Sequence, residues 1–592
     1  MRYVRPHRLM RLNPTSRMLI LSLLVGVVSG FGAITFNLLL DWGKELFLHG
    51  LAQYQPPGLP REGGVLEEVT GPWGRWLVPL ATTLGGLIAG WMVFTFAPEA
   101  EGHGTDAVLK AYHHAGGRIR ARVPVVKTVA SAITIGSGGS GGREGPIAQI
   151  GAGFGSILAQ LLHLADSERR VLVMAGAAGG IGAIFHAPLG GALFATEVLY
   201  RKLDYETDVL IPSIISAVTA YSIVGYFYGF GSLFLTPSDH FSSPQHLPLY
   251  AVLALFSAAG AWLFIRMFYG MADWFRSLPY APMLRTGLGG LAVGLLGVAV
   301  PQALDGGYGW LQLIFMNRFP FELLLLIALA KMLATSLSIG SGGSGGVFGP
   351  SVIIGAALGG AFGQFFQQSF PGLGVNPTDF ALVGMAAFFA AAAKTPLSSI
   401  VMVTEMTGSY GLLVPLMLAS FIAYLTLKPS ETLYRSQVPE RIDSPVHAHE
   451  YLRAALLNLK ERGLPIPKDV PLPDLARLLE TGQPVVLDPE GEEVMFTLEL
   501  GPDHPWVGKR IFELDLPPDV LVISVMREKA DRVVIPRGHT RLEARDRLVL
   551  VGPAYASHEL MERLAQESAR SSSEASEQPG AGDTSSESRS ER

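Results

Sequence analysis

Long apolar stretches separated by short polar ones run from about residue 18 to residue 428, and the charged residues gather between and beyond them. Met18–Leu40, Trp76–Phe96 and Phe321–Ile339 each approach the ~20 residues that carry a helix across the hydrocarbon core of a bilayer. After Lys428 the pattern changes. Residues 429–491 form a polar, proline-containing connector in which "HEYLRAALLNLKERG" has helical periodicity. From residue 492 short strand-like runs follow, "VMFTLEL", "VLVISVM", "RVVIP" and "RLVLVG", divided by turn signals. They predict a small soluble α+β domain over 492–556. The end of the chain, 567–592, is rich in Ser, Glu and Gly and predicts disorder.

The apolar region is internally duplicated. "GSGGSGGREGP" (Gly136–Pro146) returns as "GSGGSGGVFGP" (Gly340–Pro350), 204 residues later. "LGGL" at Leu84 and Leu288, and the runs starting at Lys127 and Lys331, keep that offset, while "APLGGALFATEV" (Ala187–Val198) and "TPLSSIVMVTEM" (Thr395–Met406) are 208 apart. One structural unit therefore occurs twice, over about 75–230 and 285–428. Transporters made of such halves hold their site where the halves meet, at helices interrupted by Gly and Pro. The sequence leaves open whether the halves are parallel or inverted.

Composition turns this pattern into a class. The 592 residues are 49% hydrophobic and only 16% charged, with a mean hydropathy of +0.34, against roughly 25% charged in soluble proteins. This predicts a polytopic membrane protein. The 69 glycines predict close helix packing and broken helices. The absence of cysteine excludes disulfide and thiolate chemistry. The apolar core of Met1–Leu40 is too long for a signal peptide, so it reads as a first span. Basic segments, the N-terminal residues 1–17, Lys110–Lys127, Asp166–Arg170 and Arg201–Lys202, are expected on the cytoplasmic side of an inner membrane. Both chain ends then fall in the cytoplasm.

"GGSGG" at Gly138–Gly142 and Gly342–Gly346 fits the GxSxG pattern of hydrolase elbows, but that pattern needs a strand–turn–helix context and partners. Neither copy supplies the GK[ST] of a phosphate-binding loop. No enzyme activity, cofactor, metal or nucleic-acid partner is expected. An anion site is the physical alternative. A glycine-rich turn running into a helix leaves N–H groups free, and the helix dipole adds partial positive charge there. Glu144 lies within the first copy, and an ionisable residue inside a span is a functional candidate. Its carboxylate can take an anion's place beside helix N-termini and leave when protonated. A salt bridge to Arg143 is the bland reading, weakened because adjacent helix residues point apart.

Over roughly residues 18–440, the chain resembles the CLC family of chloride channels and chloride/proton exchangers. "GREGP" (Gly142–Pro146), "GVFGP" (Gly346–Pro350), "APLGGALFATE" and "DSPVH" (Asp443–His447) carry the resemblance. It implies a homodimer with one pore per subunit, built from inverted repeats of tilted and broken helices. It also implies that Glu144 is the gating glutamate. Val347 and Phe348 would offer backbone N–H groups to the anion, with Arg143, Gly145 and Gly104 nearby. Tyr434 looks like the hydroxyl donor near the inner end, with Tyr424 second. Two departures matter. "GHGTD" (Gly102–Asp106) puts His103 where the family has an anion-contacting serine, so chloride over nitrate is not assumed. Thr196-Glu197-Val198 keeps the first acid of the family's frequent pair and replaces the second, the inner proton relay, by valine. Glu197 remains as a detour for protons, and Glu405, its repeat partner, has a structural reading.

Lys127 and Lys331 read as snorkelling or ion-paired side chains. The pairs His113/His114 and His447/His449 read as loop histidines. The run from His504 to Gly552 resembles the C-terminal subdomain of RCK-type potassium-transport regulators (RCK-C, TrkA-C-like), which implies a small-molecule ligand and dimerisation. That raises a potassium transporter as a rival. No TVGYG-like carbonyl filter is present, and open helix N-termini repel cations. The expectation is a homodimeric, glutamate-gated chloride transporter with weak or no proton coupling; the alternative is a chloride/proton antiporter.

Overall fold

The computed structural model describes residues 13–237, 241, 243–447, 485–486 and, with short gaps, 493–560. They fall into two compact units that divide between Arg441 and Ile442. The periodic stretch 449–463, His449 and the tail 567–592 lie outside the described residues.

The first unit is helical. α1 (Pro14–Lys44) continues through a π-helical turn to Leu51, and a two-stranded hairpin, β1 (Tyr54–Gln55) with β2 (Val69–Thr70), follows. The first repeat is α2 (Gly74–Phe96), α3 (Thr105–His114), α4 (Arg122–Gly136), α5 (Glu144–Leu161), α6 (Asp166–Ile184), α7 (Pro188–Glu197) and α8 (Thr207–Tyr228). After the connecting α9 (Leu247–Ser277), the same series returns as α10 (Pro282–Ala299), α11 (Tyr308–Phe315), α12 (Phe321–Gly340), α13 (Phe348–Ser369), α14 (Pro377–Ala393), α15 (Pro396–Thr407) and α16 (Leu413–Thr426). Among the described residues, 7 helices are long and apolar enough to cross a membrane. Others are half-length. At 1.5 Å per residue, the 10 residues of α3 or α7 span about half of a ~30 Å hydrocarbon core, so their ends stop inside the unit. Proline at the first turn of α7 and α15 sets those starts, where a missing N–H costs nothing.

The halves meet around a local two-fold. Gly142 N–H donates to the Gly346 carbonyl at 2.8 Å and Gly346 N–H returns the bond at 2.6 Å. These residues are repeat partners, and their pairing is antiparallel. The pairing relates the two halves antiparallel where they meet, as inverted halves require. The same exchange recurs in side chains: Ser140 Oγ meets Thr335 Oγ1 at 3.0 Å, and Ser344 Oγ meets Ser131 Oγ at 2.8 Å. The serines of the two GxSxG matches are thus structural ties on turns between helices. α2 and α10 cross where Gly86 faces the Thr286 backbone and Gly290 the Thr82 backbone; a Cβ at either glycine would collide with the facing carbonyl.

The second unit is a 5-stranded sheet in the order β3-β4-β7-β5-β6: β3 (Val485–Val486), β4 (Glu493–Glu499), β5 (Leu521–Arg527), β6 (Arg532–Val534) and β7 (Asp546–Pro553). All pairings are antiparallel, with Phe496 opposite Leu550 and Val525 opposite Leu548. Phe496, Trp506, Val525, Leu548 and Leu550 form its own core. Asp546, fully buried, is held by Arg527 through hydrogen bonds of 3.0 and 3.1 Å, the two-pronged geometry that suits a guanidinium and a carboxylate.

Candidate anion site

Glu144 is the first residue of α5, and Phe348 is the first residue of α13. Their glycine-rich turns bring the two helix N-termini together. One Glu144 carboxylate oxygen accepts the Phe348 N–H, and the Gly349 N–H also acts on the carboxylate. The other oxygen is buried with no hydrogen-bond partner among the described residues. Gly142 and Gly346 leave the room for this group, since a Cβ on either would collide with it. The glutamate is therefore seated on backbone donors where unpaired N–H groups and the helix dipole favour a negative charge. A small anion can use the same donors once the carboxylate moves away.

The other expected contributors converge here. Val347 is the N-cap of α13. Gly104 is the N-cap of α3 with φ +84°, and a Cβ there would approach the Gly145 carbonyl to 2.6 Å. Gly145 in turn packs so tightly on the His103 carbonyl that only glycine fits. A cavity of about 10 Å³, enough for one water, lies between Glu144, Thr105, Phe194 and Phe348.

Beside Thr105 stand Tyr434 and His103, both buried, with ring centroids 5.4 Å apart. The Tyr434 hydroxyl engages Thr105. Tyr434 rides on an extended segment pinned by Leu433 N–H to the Ala392 carbonyl at 2.8 Å. Gln437 Nε2 fixes it further through the Val198 and Ala393 carbonyls, both at 3.0 Å. Tyr424 is placed elsewhere, its hydroxyl on the Arg201 carbonyl at 3.3 Å and Lys394 5.2 Å from its ring centre.

Residues 85–428 match the family model described as "Voltage gated chloride channel". The chain is 35% identical over 358 residues to a ClcB-like chloride channel protein of Ralstonia nicotianae, covering 60% of this chain and 82% of that one. The chain belongs to the voltage gated chloride channel family. It is 31% identical over 414 residues to the H+/Cl− exchange transporter ClcA of Cronobacter sakazakii, covering 69% of this chain and 85% of the relative. The solved structure of a slow cyanobacterial Cl−/H+ antiporter superposes with a TM-score of 0.60 at 25% identity, over 70% of this chain and 94% of that one. A CLC-type fluoride/proton antiporter shares the fold, with TM-score 0.60, 23% identity and coverage of 72% and 98%. Residues 495–565 match a TrkA-C domain. The protein is thus a multi-pass membrane protein of an anion-transport family with a C-terminal TrkA-C domain.

Within that family frame, several side chains take places the sequence did not foretell. Arg143 does not pair with Glu144. Its guanidinium lies 2.7 Å from Glu62, 3.4 Å from Asn37 Oδ1 and 4.6 Å from the centre of the Tyr308 ring. It lines a cavity of about 250 Å³ with Asp41, Lys44, Glu62 and Asp305, and Lys44 is paired to Asp305 at 2.9 Å. Its side chain is held by Glu62 rather than by Glu144, because a guanidinium buried beside a carboxylate is held by it.

Glu197 is engaged by the start of another helix. Its carboxylate accepts Leu397 N–H at 3.0 Å, Ser398 N–H at 2.7 Å and Ser398 Oγ at 2.6 Å. This caps the start of α15. Glu405, at the matching place in α15, caps α7 through Leu189 and Gly190 N–H at 3.3 and 2.7 Å. Val198, the C-cap of α7, is buried.

Lys127 and Lys331 do not snorkel, and among the described residues they form no ion pair. Both are fully buried. Lys127 Nζ bonds the Ala100 and Gly102 carbonyls at 3.0 and 2.7 Å, and Lys331 Nζ bonds those of Ala303, Leu304 and Asp305 at 3.2, 3.1 and 2.7 Å. Each ties down the loop that leads into the preceding short helix of its own repeat, α3 or α11. His113, expected in an exposed loop, is buried with Nε2 3.2 Å from the Leu199 carbonyl, and His447 is buried as well. Sequence reasoning missed Glu62, Thr105, Asp106 and Gln437. Only Asp106 left a signal, three residues after His103 on a helix start.

Proposed function

We propose that the protein moves chloride or another small anion across a bacterial-type inner membrane in exchange for protons, with Glu144 as the gate. One observation carries the reading: the Glu144 carboxylate rests on the Phe348 N–H at the start of α13, in space kept by Gly142 and Gly346. A carboxylate in that seat competes with the anion for the same donors, and protonation removes the competition. Val347, Phe348, Gly104 and Gly145 surround the outer position, and Tyr434 and His103 the inner one. The working unit is a homodimer with both termini in the cytoplasm, and the TrkA-C domain takes a small-molecule regulator.

The names of the relatives support exchange over the weakly coupled transport that Val198 suggests. A channel-like second reading keeps one observation in its favour: Val198 carries no proton, and Glu197 is engaged as a cap. The test is flux from liposomes holding the full-length protein, with chloride and pH recorded together under a chloride gradient and no pH gradient. Protons driven uphill are expected, and Glu144→Gln is expected to stop proton movement and remove the pH dependence while chloride still flows. Chloride flux without protons in the unaltered protein selects the channel-like reading. Potassium flux without chloride, bromide or nitrate flux defeats both.

A further inference from the structure

His103 is 6% exposed, yet only one of its ring nitrogens is accounted for. Nε2 lies 3.3 Å from Asp106 Oδ2. Asp106 is itself held in place, because its Oδ1 accepts the Ser436 N–H at 3.0 Å, and its side chain is 27% exposed. A carboxylate accepts and does not donate, so it fixes the neutral imidazole with its proton on Nε2. Nδ1 is then a bare lone pair. It is buried and has no hydrogen-bond partner among the described residues. The ring lies beside Tyr434, whose hydroxyl engages Thr105, and Thr105 lines the small cavity together with Glu144 and Phe348.

A lone pair facing an anion repels it, whereas an N–H in the same place donates to it. We infer that His103 is a second proton-binding group of the pathway, taking up its proton on Nδ1 together with the inner anion, and that Asp106 is the positioning residue enforcing this linkage. The inference rests on the anion-transport reading. The titratable groups on the neighbouring elements are Glu144 on α5, Lys127 on α4, Tyr269 on α9 beside Phe268, and Tyr434 and Arg435 on the segment that carries Tyr434. Lys127 is bound to the Gly102 carbonyl and the Arg435 guanidinium stacks 3.5 Å from the centre of the Tyr269 ring, so both cations are engaged. Among the described residues, Glu144 and Asp106 are acids here whose protonation also favours an anion, so Glu144 is silenced in the test and Asp106 has a variant of its own. The linkage also places a proton carrier in the inner half, where Val198 provides none, with Asp106 as its partly exposed contact.

Linkage is reciprocal: if protonation strengthens anion binding, the anion must draw a proton in. Chloride binding to the full-length Glu144→Gln protein in detergent, followed by titration calorimetry, is expected to be roughly tenfold tighter at pH 5 than at pH 8, a typical coupling between sites. Chloride added to the same protein in weak buffer is expected to take up protons. Adding His103→Ser, or His103→Gln should the serine variant misfold, is expected to erase both effects. Asp106→Ala frees the tautomer, so the neutral ring can donate. It is expected to tighten chloride binding at pH 8 and flatten the pH dependence, a gain that mere structural damage does not produce. Equal affinity at both pH values in Glu144→Gln, or a pH effect surviving His103→Ser, overturns the inference. Failure of every form to bind chloride, bromide or nitrate overturns the transport reading instead.

Discussion

Arg143 and Glu144 are adjacent and opposite in charge, yet each has a different partner. At a helix start their side chains diverge, so Glu144 reaches the N–H groups of α13 while Arg143 turns to Glu62 and Tyr308. Glu62 therefore compensates a guanidinium only 5% exposed at its side chain, although Glu62 itself is 28% exposed. Glu62→Ala is expected to cost about 1–3 kcal/mol, less than the loss of a fully buried pair because water reaches the acid. Thermal unfolding of the purified protein should show a lower midpoint, with Glu62→Gln closer to the unaltered chain; no change in either variant removes Glu62 from this role. Glu144 was legible in the sequence because one acid in a glycine-rich apolar run has few bland explanations. Glu62 was not. It sits on the hairpin loop after α1, and only the folded chain brings it to Arg143.

Glu197 and Glu405 show how a pair of elements constrains a residue. Each lies in the last turn of one short helix and caps the start of the other, so α7 and α15 are locked head to tail by two carboxylates. The N–H groups at Leu189, Gly190, Leu397 and Ser398 belong to helix starts that have no intrahelical acceptor. Glu405→Ala or Glu197→Ala leaves two of them without that partner, at about 1–3 kcal/mol, while the Gln variants keep an acceptor oxygen. The expected pattern is a similar loss of thermal stability for both alanine variants, and unchanged proton coupling in Glu197→Gln. Loss of coupling in a stable Glu197→Gln protein returns the residue to the proton route. The sequence announced these helices through their prolines and their duplicated motif, and it suggested a structural role for Glu405. It could not extend that role to Glu197, because the family resemblance emphasises the acid pair and the cap needs a partner 200 residues away.

At the scale of the whole molecule, chain connectivity and functional boundaries differ. The apolar pattern stops at Lys428, and the sequence places the end of the transport region there. The folded unit continues to Arg441, because Tyr434 and Gln437 are built into it by bonds to Ala392, Ala393 and Val198. No periodicity marks this stretch, which is extended and turn-like, so its role was visible only through the resemblance that singled out Tyr434. The sheet unit has a separate core around Phe496 and Trp506. These facts set two truncations apart. Removing 492–592 is expected to leave a monodisperse protein with chloride flux and unchanged proton stoichiometry, altered only in its response to regulators. Ending the chain at Leu427 strips the Val198 and Ala393 carbonyls of their Gln437 donor and opens the space filled by Tyr434. Each buried carbonyl left without a donor costs about 1–3 kcal/mol, so this shorter form is expected to aggregate or lose flux. Size-exclusion chromatography and liposome flux read both outcomes. A silent but well-folded 492–592 deletion would make the TrkA-C domain part of the transport machinery, and an active chain ending at Leu427 would remove Tyr434 from the pathway.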